Sequence, residues 1–151
     1  ALPPHIDEKK TISAEHRVKM LELAIADSPR LSLELGEVAR GGKSYTYDTM
    51  KHLTQAYPDT DFYFIIGSDM VEYLPKWYKI DALLDLVQFV AVQRSTEAIE
   101  SLYPVQWVDL PLSFASSTSL RKMFKDGIEP VYLMPQSVID YIKKNKLYLE
   151  G

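Results

Sequence analysis

Two short apolar runs constrain this chain's fold more than any other feature: Phe62-Tyr63-Phe64-Ile65-Ile66, closing on Gly67, and Phe89-Val90-Ala91-Val92, leading to Gln93-Arg94. A continuous apolar run of this length reads as a strand covered on both faces, the usual state of strands in a parallel sheet. Between and around them the spacing becomes helical. Ser13 precedes a stripe of Val18, Leu21, Leu23, Ala24 and Ile25, with Glu15 suited to the helix start, so a helix is expected from about Ala14 to Asp27, stopped by Pro29. Leu31, Leu33 and Leu35 alternate with Ser32, Glu34 and Gly36, which predicts a half-buried strand before the basic loop Arg40-Gly41-Gly42-Lys43. Further helices are expected over Tyr47 to Tyr57, Asp69 to Leu74, Asp81 to Leu86, Ser117 to Lys125 and Pro135 to Asn145. Val105, Trp107 and Val108 mark another strand. Alternating helices and strands predict an α/β fold with a mostly parallel sheet, in one domain over residues 1–151. In open sheets of this kind ligands lie beyond the carboxyl ends of the strands, so chemistry is sought just after those runs.

Composition narrows the chemistry. The 151 residues include no cysteine, which removes thiolate metal sites, iron–sulfur clusters and cysteine nucleophiles. A net charge of -4, from 17 basic and 21 acidic residues, argues against a nucleic-acid surface while leaving room for a local anion pocket. No apolar run approaches the roughly 20 residues of a membrane helix, so no membrane partner is expected. Ala1-Leu2-Pro3-Pro4-His5 lacks the layout of a signal peptide and reads as a loop from within a protein; a cytoplasmic location is expected. His5, His16 and His52 show no ligand spacing, so no metal cage is assigned.

Four stretches are candidates for binding. Ser116-Ser117-Thr118-Ser119-Leu120-Arg121 sets hydroxyls and open amides at a helix start, with a guanidinium about one turn on. The set suits a phosphate chain, or equally a plain N-cap beside a solvated charge. Gly67-Ser68-Asp69 places a glycine and a carboxylate at a strand mouth, where an aspartate either bonds ribose hydroxyls or caps the next helix. Trp77-Tyr78 suits stacking on a planar ring or packing against the sheet. Gly42-Lys43-Ser44-Tyr45-Thr46-Tyr47-Asp48-Thr49 opens a helix whose amides and hydroxyls either hold a carboxylate or phosphate or serve as a cap.

Taken in order, Pro3-Pro4-His5, Ser44-Tyr45-Thr46-x-x-Thr49, Ile65-Ile66-Gly67-x-Asp69, Leu74-Pro75-x-Trp77, Ser116-Ser117-Thr118-x-Leu120-Arg121 and Tyr132-Leu133-x-Pro135 with Leu147-Tyr148 resemble the bacterial nicotinate mononucleotide adenylyltransferases along nearly the whole chain. The resemblance implies a Rossmann-like nucleotidyltransferase fold. It also implies a reaction of ATP with nicotinate mononucleotide giving nicotinate adenine dinucleotide and pyrophosphate, a step of NAD synthesis, with Mg2+ accompanying ATP. By that resemblance Ser116, Ser117, Thr118 and Arg121 bind the ATP phosphates and Gly67 and Asp69 lie against the nucleotide. Trp77 stacks on the nicotinate ring, and Thr46 with the backbone of Tyr78 receives its carboxylate.

The family's glycine-rich strand end and H-x-G-H pair belong upstream of Pro3-Pro4-His5. The chain is therefore expected to lack the family's first strand, first helix and second strand, its catalytic residues are left unassigned, and little turnover is expected of these 151 residues alone. Two other readings stay open. One is a related nucleotidyltransferase taking nicotinamide mononucleotide or a pantetheine phosphate; the other is a noncatalytic nucleotide-binding module. A homo-oligomer is compatible with either.

Overall fold

The computed structural model describes residues 12–93, 100–111 and 115–149; Pro3-Pro4-His5 and Arg94 lie outside them. The described residues fall into two compact units, one built from 41–93 with 100–111, the other from 12–40 with 115–149.

The first unit is a parallel sheet with short helices. Helix α3 (Thr46–Ala56) precedes β1 (Tyr63–Gly67), which leads directly into α4 (Ser68–Val71). A 3-10 turn follows at Leu74–Lys76, then α5 (Ile80–Leu84), β2 (Gln88–Val92) and β3 (Val105–Val108). The strand order is β1-β2-β3, with both pairs parallel. Tyr63 stands opposite Gln88 through to Gly67 opposite Val92, and Phe89 opposite Val105 through to Val92 opposite Val108. The apolar runs therefore form the parallel strands their composition predicts.

Their burial is less complete than the sequence suggests. Phe64 and Ile66 turn to the core, whereas Tyr63 and Ile65 on the other face are 55% and 70% exposed, so among the described residues only one face of β1 is covered. The core of this unit gathers Ile66, Val71, Leu74, Leu83, Phe89 and Ala91. Leu74, Leu83 and Ala91 are completely enclosed, so the 3-10 turn and α5 are held by apolar burial and not by their own marginal helicity.

The second unit is helical: α1 (Ala14–Ile25), α2 (Gly36–Arg40), α6 (Ser117–Lys125) and α7 (Gln136–Lys144). Ser13 caps α1 by accepting from the His16 amide at 3.3 Å, as its position predicts. His16 Nδ1 meets the Tyr141 hydroxyl at 2.8 Å, tying α1 to α7 over a core of Phe124, Val138, Ile139, Ile142 and Leu147. Helix α6 matches the expected bounds and is followed, after Asp126, by Gly127, whose φ of 72° is the left-handed conformation glycine adopts freely.

The strand expected over Leu31 to Gly36 is not formed. Pro29 lies within a turn in which the Leu31 amide donates to the Ser28 carbonyl. The Glu34 carboxylate then accepts from the Gly36 amide at 2.6 Å and starts α2. Leu31 and Leu35 are 57% and 43% exposed, so the alternation has no apolar surface to bury against and local hydrogen bonding sets the backbone instead.

Candidate functional site

In the sheet unit, the carboxyl end of β1 runs into α4 with Gly67 as its N-cap, in ordinary extended backbone and with no side chain closing the cap. The capping alternative for Asp69 therefore falls away: it sits in the first turn of α4, exposed beyond the strand end. Ser68, which the sequence did not single out, is buried there at 2% exposure.

Thr46 and Tyr78, far apart in sequence, are brought to one place by aromatic contacts. Tyr45 and Tyr47 flank Thr46, the first residue of α3, and their rings lie 4.6 Å and 6.1 Å from that of Tyr78. Two lysines complete the cluster. Lys43 Nζ stands 5.6 Å from the Tyr45 ring centroid, and Lys79 Nζ stands 4.8 Å from that of Tyr47 and 5.1 Å from that of Tyr78. Tyr78, through hydrogen bonding and charge, raises the Lys79 pKa above its usual 10.5, with Tyr47 and Asp48 adding to the effect. The start of α3 also offers open amides, since Tyr45 makes no side-chain cap. Open amides, a threonine hydroxyl, aromatic surface and two ammonium groups together suit a small aromatic anion.

Trp77 is the packing residue of the same loop. Its ring meets Phe64 at 5.8 Å and Phe89 at 5.9 Å, both nearly edge-on, and its Nε1 is buried without a partner among the described residues. The sheet-packing reading is thus realised, and the half-buried ring leaves part of its surface open.

In the helical unit, Ser116 caps α6 reciprocally with Ser119: the Ser119 amide donates to Ser116 Oγ at 3.0 Å and the Ser116 amide to Ser119 Oγ at 2.9 Å. The Ser116 hydroxyl is spent on this box, so the cap alternative holds for it. Ser117, Thr118 and Arg121 are exposed, and Ser117 and Arg121, four apart, share one helix face.

That face borders a cavity of about 480 Å³ whose polar members are Arg17, Ser117, Arg121 and Tyr148, against an otherwise apolar wall. Arg17 Nε is buried there without a partner among the described residues. Burial pushes the Tyr148 phenol above its usual 10.0, while the Arg121 and Arg17 guanidiniums pull it back. Neither Arg17 nor Tyr148 carries a local sequence signal of this grouping. Among the described residues no group of three or more histidine, aspartate or glutamate side chains could hold a metal ion, and no helix is long and apolar enough to cross a membrane.

Comparison with known proteins shows the family of the chain. Residues 1–123 match the cytidylyltransferase-like family. The chain is 68% identical over 147 residues to a protein of Lactococcus lactis subsp. lactis named probable nicotinate-nucleotide adenylyltransferase, covering 97% of this chain and 75% of that one. It is 60% identical to the protein of that name from Enterococcus faecalis, covering 97% of this chain and 67% of that one. Among solved structures, it resembles the nicotinic acid mononucleotide adenylyltransferase of Plasmodium falciparum complexed with NaAD. The TM-score is 0.73 at 23% identity, over 95% of this chain and 78% of that one. The parallel sheet and this likeness give the Rossmann-like nucleotidyltransferase fold. Kinship of that extent places the chain in the cytidylyltransferase-like family and, within it, among the nicotinate-nucleotide adenylyltransferases.

Proposed function

We propose that this protein transfers the adenylyl group of ATP to nicotinate mononucleotide, giving nicotinate adenine dinucleotide and pyrophosphate in NAD biosynthesis. The observation that carries the reading is identity of 68% and 60%, sustained over 97% of the chain, with proteins named for that reaction. The chain is accordingly a nucleotidyltransferase. In the reaction an oxygen of the mononucleotide phosphate attacks the ATP α-phosphorus in line and pyrophosphate leaves, with no covalent enzyme intermediate. The protein positions the reactants and stabilises charge on the leaving group.

The site chemistry distributes the roles. Ser117, Thr118 and Arg121 lie at the exposed start of α6 and suit the ATP phosphates; Ser116 contributes by fixing that helix start. Asp69, exposed beyond the β1 end, suits ribose hydroxyls, and Gly67 lets the nucleotide approach the backbone. Thr46 and the Tyr78 backbone suit the nicotinate carboxylate, and the open part of Trp77 suits the ring. Mg2+ is proposed to accompany the substrate ATP, neutralising its phosphate oxygens. The cytoplasm, where ATP is available, is the proposed location.

Incubating the full-length protein with MgATP and nicotinate mononucleotide, nicotinamide mononucleotide or a pantetheine phosphate, and separating the products, tests the reading. Nicotinate adenine dinucleotide with equimolar pyrophosphate is expected. Dominant product from either other acceptor would overturn the assignment, and ATP binding without product would make the chain a nucleotide-binding module.

A further inference from the structure

The tyrosine cluster contains a cation whose placement the proposed reaction does not by itself require. Lys79 is the residue before α5, and its backbone is left-handed, with φ 53° and ψ 45°. Glycine or asparagine adopts that conformation readily, whereas a lysine is strained in it. The left-handed turn accompanies an ammonium set over two rings from different parts of the chain: Tyr47, at the start of α3, and Tyr78, beside Trp77. Those two rings border the positions that carry Thr46 and the Tyr78 backbone, and Lys43 stands over the third ring, Tyr45. Asp48, in the first turn of α3, is the acidic group that acts on Lys79.

We propose that Lys79 is a specificity-determining residue of the acceptor site, its ammonium favouring an acceptor that carries a ring carboxylate over one that carries the neutral amide. The inference rests on the proposed acceptor class and extends it from backbone and hydroxyl donors to a fixed positive charge. A hydrogen-bond donor distinguishes acid from amide only through geometry; a charge also distinguishes them through the field, which acts on the anion before and during docking. A lysine ammonium at this exposed position is charged throughout the neutral range. A purely structural role, pinning the two tyrosines together, would serve both acceptors alike, and this difference makes the two roles separable.

The test uses the full-length protein as wild type, Lys79→Met, Lys79→Gly and Lys79→Arg, with saturating MgATP and each of the two mononucleotides. Glycine suits the left-handed backbone, so that variant removes the side chain without adding strain. Loss of one unit charge at this exposed position predicts about a three- to fivefold fall in the acid-to-amide ratio of kcat/KM for the Met and Gly variants. The fall should be carried by the KM for the acid, with the KM for ATP within about twofold of wild type, and added salt should shrink the wild-type ratio toward that of the variants. The Arg variant should keep the ratio. An unchanged ratio in the Met and Gly variants, whether or not both activities fall together, overturns the role of Lys79 while leaving the proposed reaction standing. A wild-type enzyme that does not use the acid overturns the reaction and the inference with it.

Discussion

Replacing Trp77 separates its packing role from the binding role proposed for it. The ring makes edge-to-face contacts with Phe64 and Phe89, themselves 5.8 Å apart, so three rings close one side of the sheet core. Trp77→Ala removes two aromatic pairs, each worth about 0.5–1.5 kcal/mol beyond area burial. It also removes the packing of a large side chain, about 3–5 kcal/mol for a fully buried one. Because Trp77 is half-buried, a total of about 2–4 kcal/mol is expected. Trp77→Phe behaves differently. Phenylalanine keeps part of the edge-to-face contact and removes the buried Nε1 that has no partner among the described residues, a group whose isolation costs about 1–3 kcal/mol, so the net change should stay within about 1 kcal/mol. Urea unfolding followed by circular dichroism measures both, and acceptor KM measured in parallel reads the binding role. If Trp77→Ala unfolds at the wild-type urea midpoint, the packing argument fails. If it loses stability but leaves acceptor KM unchanged, the ring plays no part in binding.

Three further outcomes follow from the helical unit. Ser116→Ala removes the Oγ that accepts from the Ser119 amide, leaving the bond from the Ser116 amide to Ser119 Oγ, and should cost about 1 kcal/mol of stability, read as a lowered midpoint; an unchanged midpoint would mean the side-chain cap contributes nothing. Arg121→Ala, at an exposed position, should leave the thermal midpoint unchanged and lower kcat/KM for ATP by about 10- to 100-fold through loss of a charge-assisted contact; unaltered ATP kinetics would remove Arg121 from the phosphate site. Tyr148 has a folded pKa raised above 10.0, so its contribution to stability is full below that value and declines as pH rises through the folded value. Tyr148→Phe should flatten the fall in stability above about pH 10, and a variant that tracks wild type through that range would show the phenol to be uncoupled from folding.

How much of this was legible in the sequence follows from the range of the interactions. Helix α6 could be bounded because its determinants are local: Ser116 begins it and Gly127 follows it. The parallel strands could be read because continuous apolar runs need burial wherever they lie. Leu31 to Gly36 misled, since alternation alone does not supply a surface, and the Glu34 carboxylate closed a turn instead. Exposure of Ile65 was not visible either, because whether a strand's second face is covered depends on what packs over it and not on the strand's own residues. The same limit applies to the candidate sites. Thr46, Tyr78, Asp69 and Arg121 could be named from local patterns, yet the contact of Tyr45 and Tyr47 with Tyr78, the ammonium of Lys79 above them, and the grouping of Arg17 and Tyr148 with Arg121 are tertiary facts.

Acceptor choice tests the central claim most directly. In the proposed acceptor site, the amides and hydroxyl around Thr46 and Tyr78 donate to both oxygens of a carboxylate, whereas a carboxamide turns an NH2 toward one donor and leaves it unpaired, at about 1–3 kcal/mol. With the charge of Lys79 added, kcat/KM of the full-length protein for nicotinate mononucleotide should exceed that for nicotinamide mononucleotide by at least about a hundredfold. Equal efficiency with the two acceptors would contradict the account.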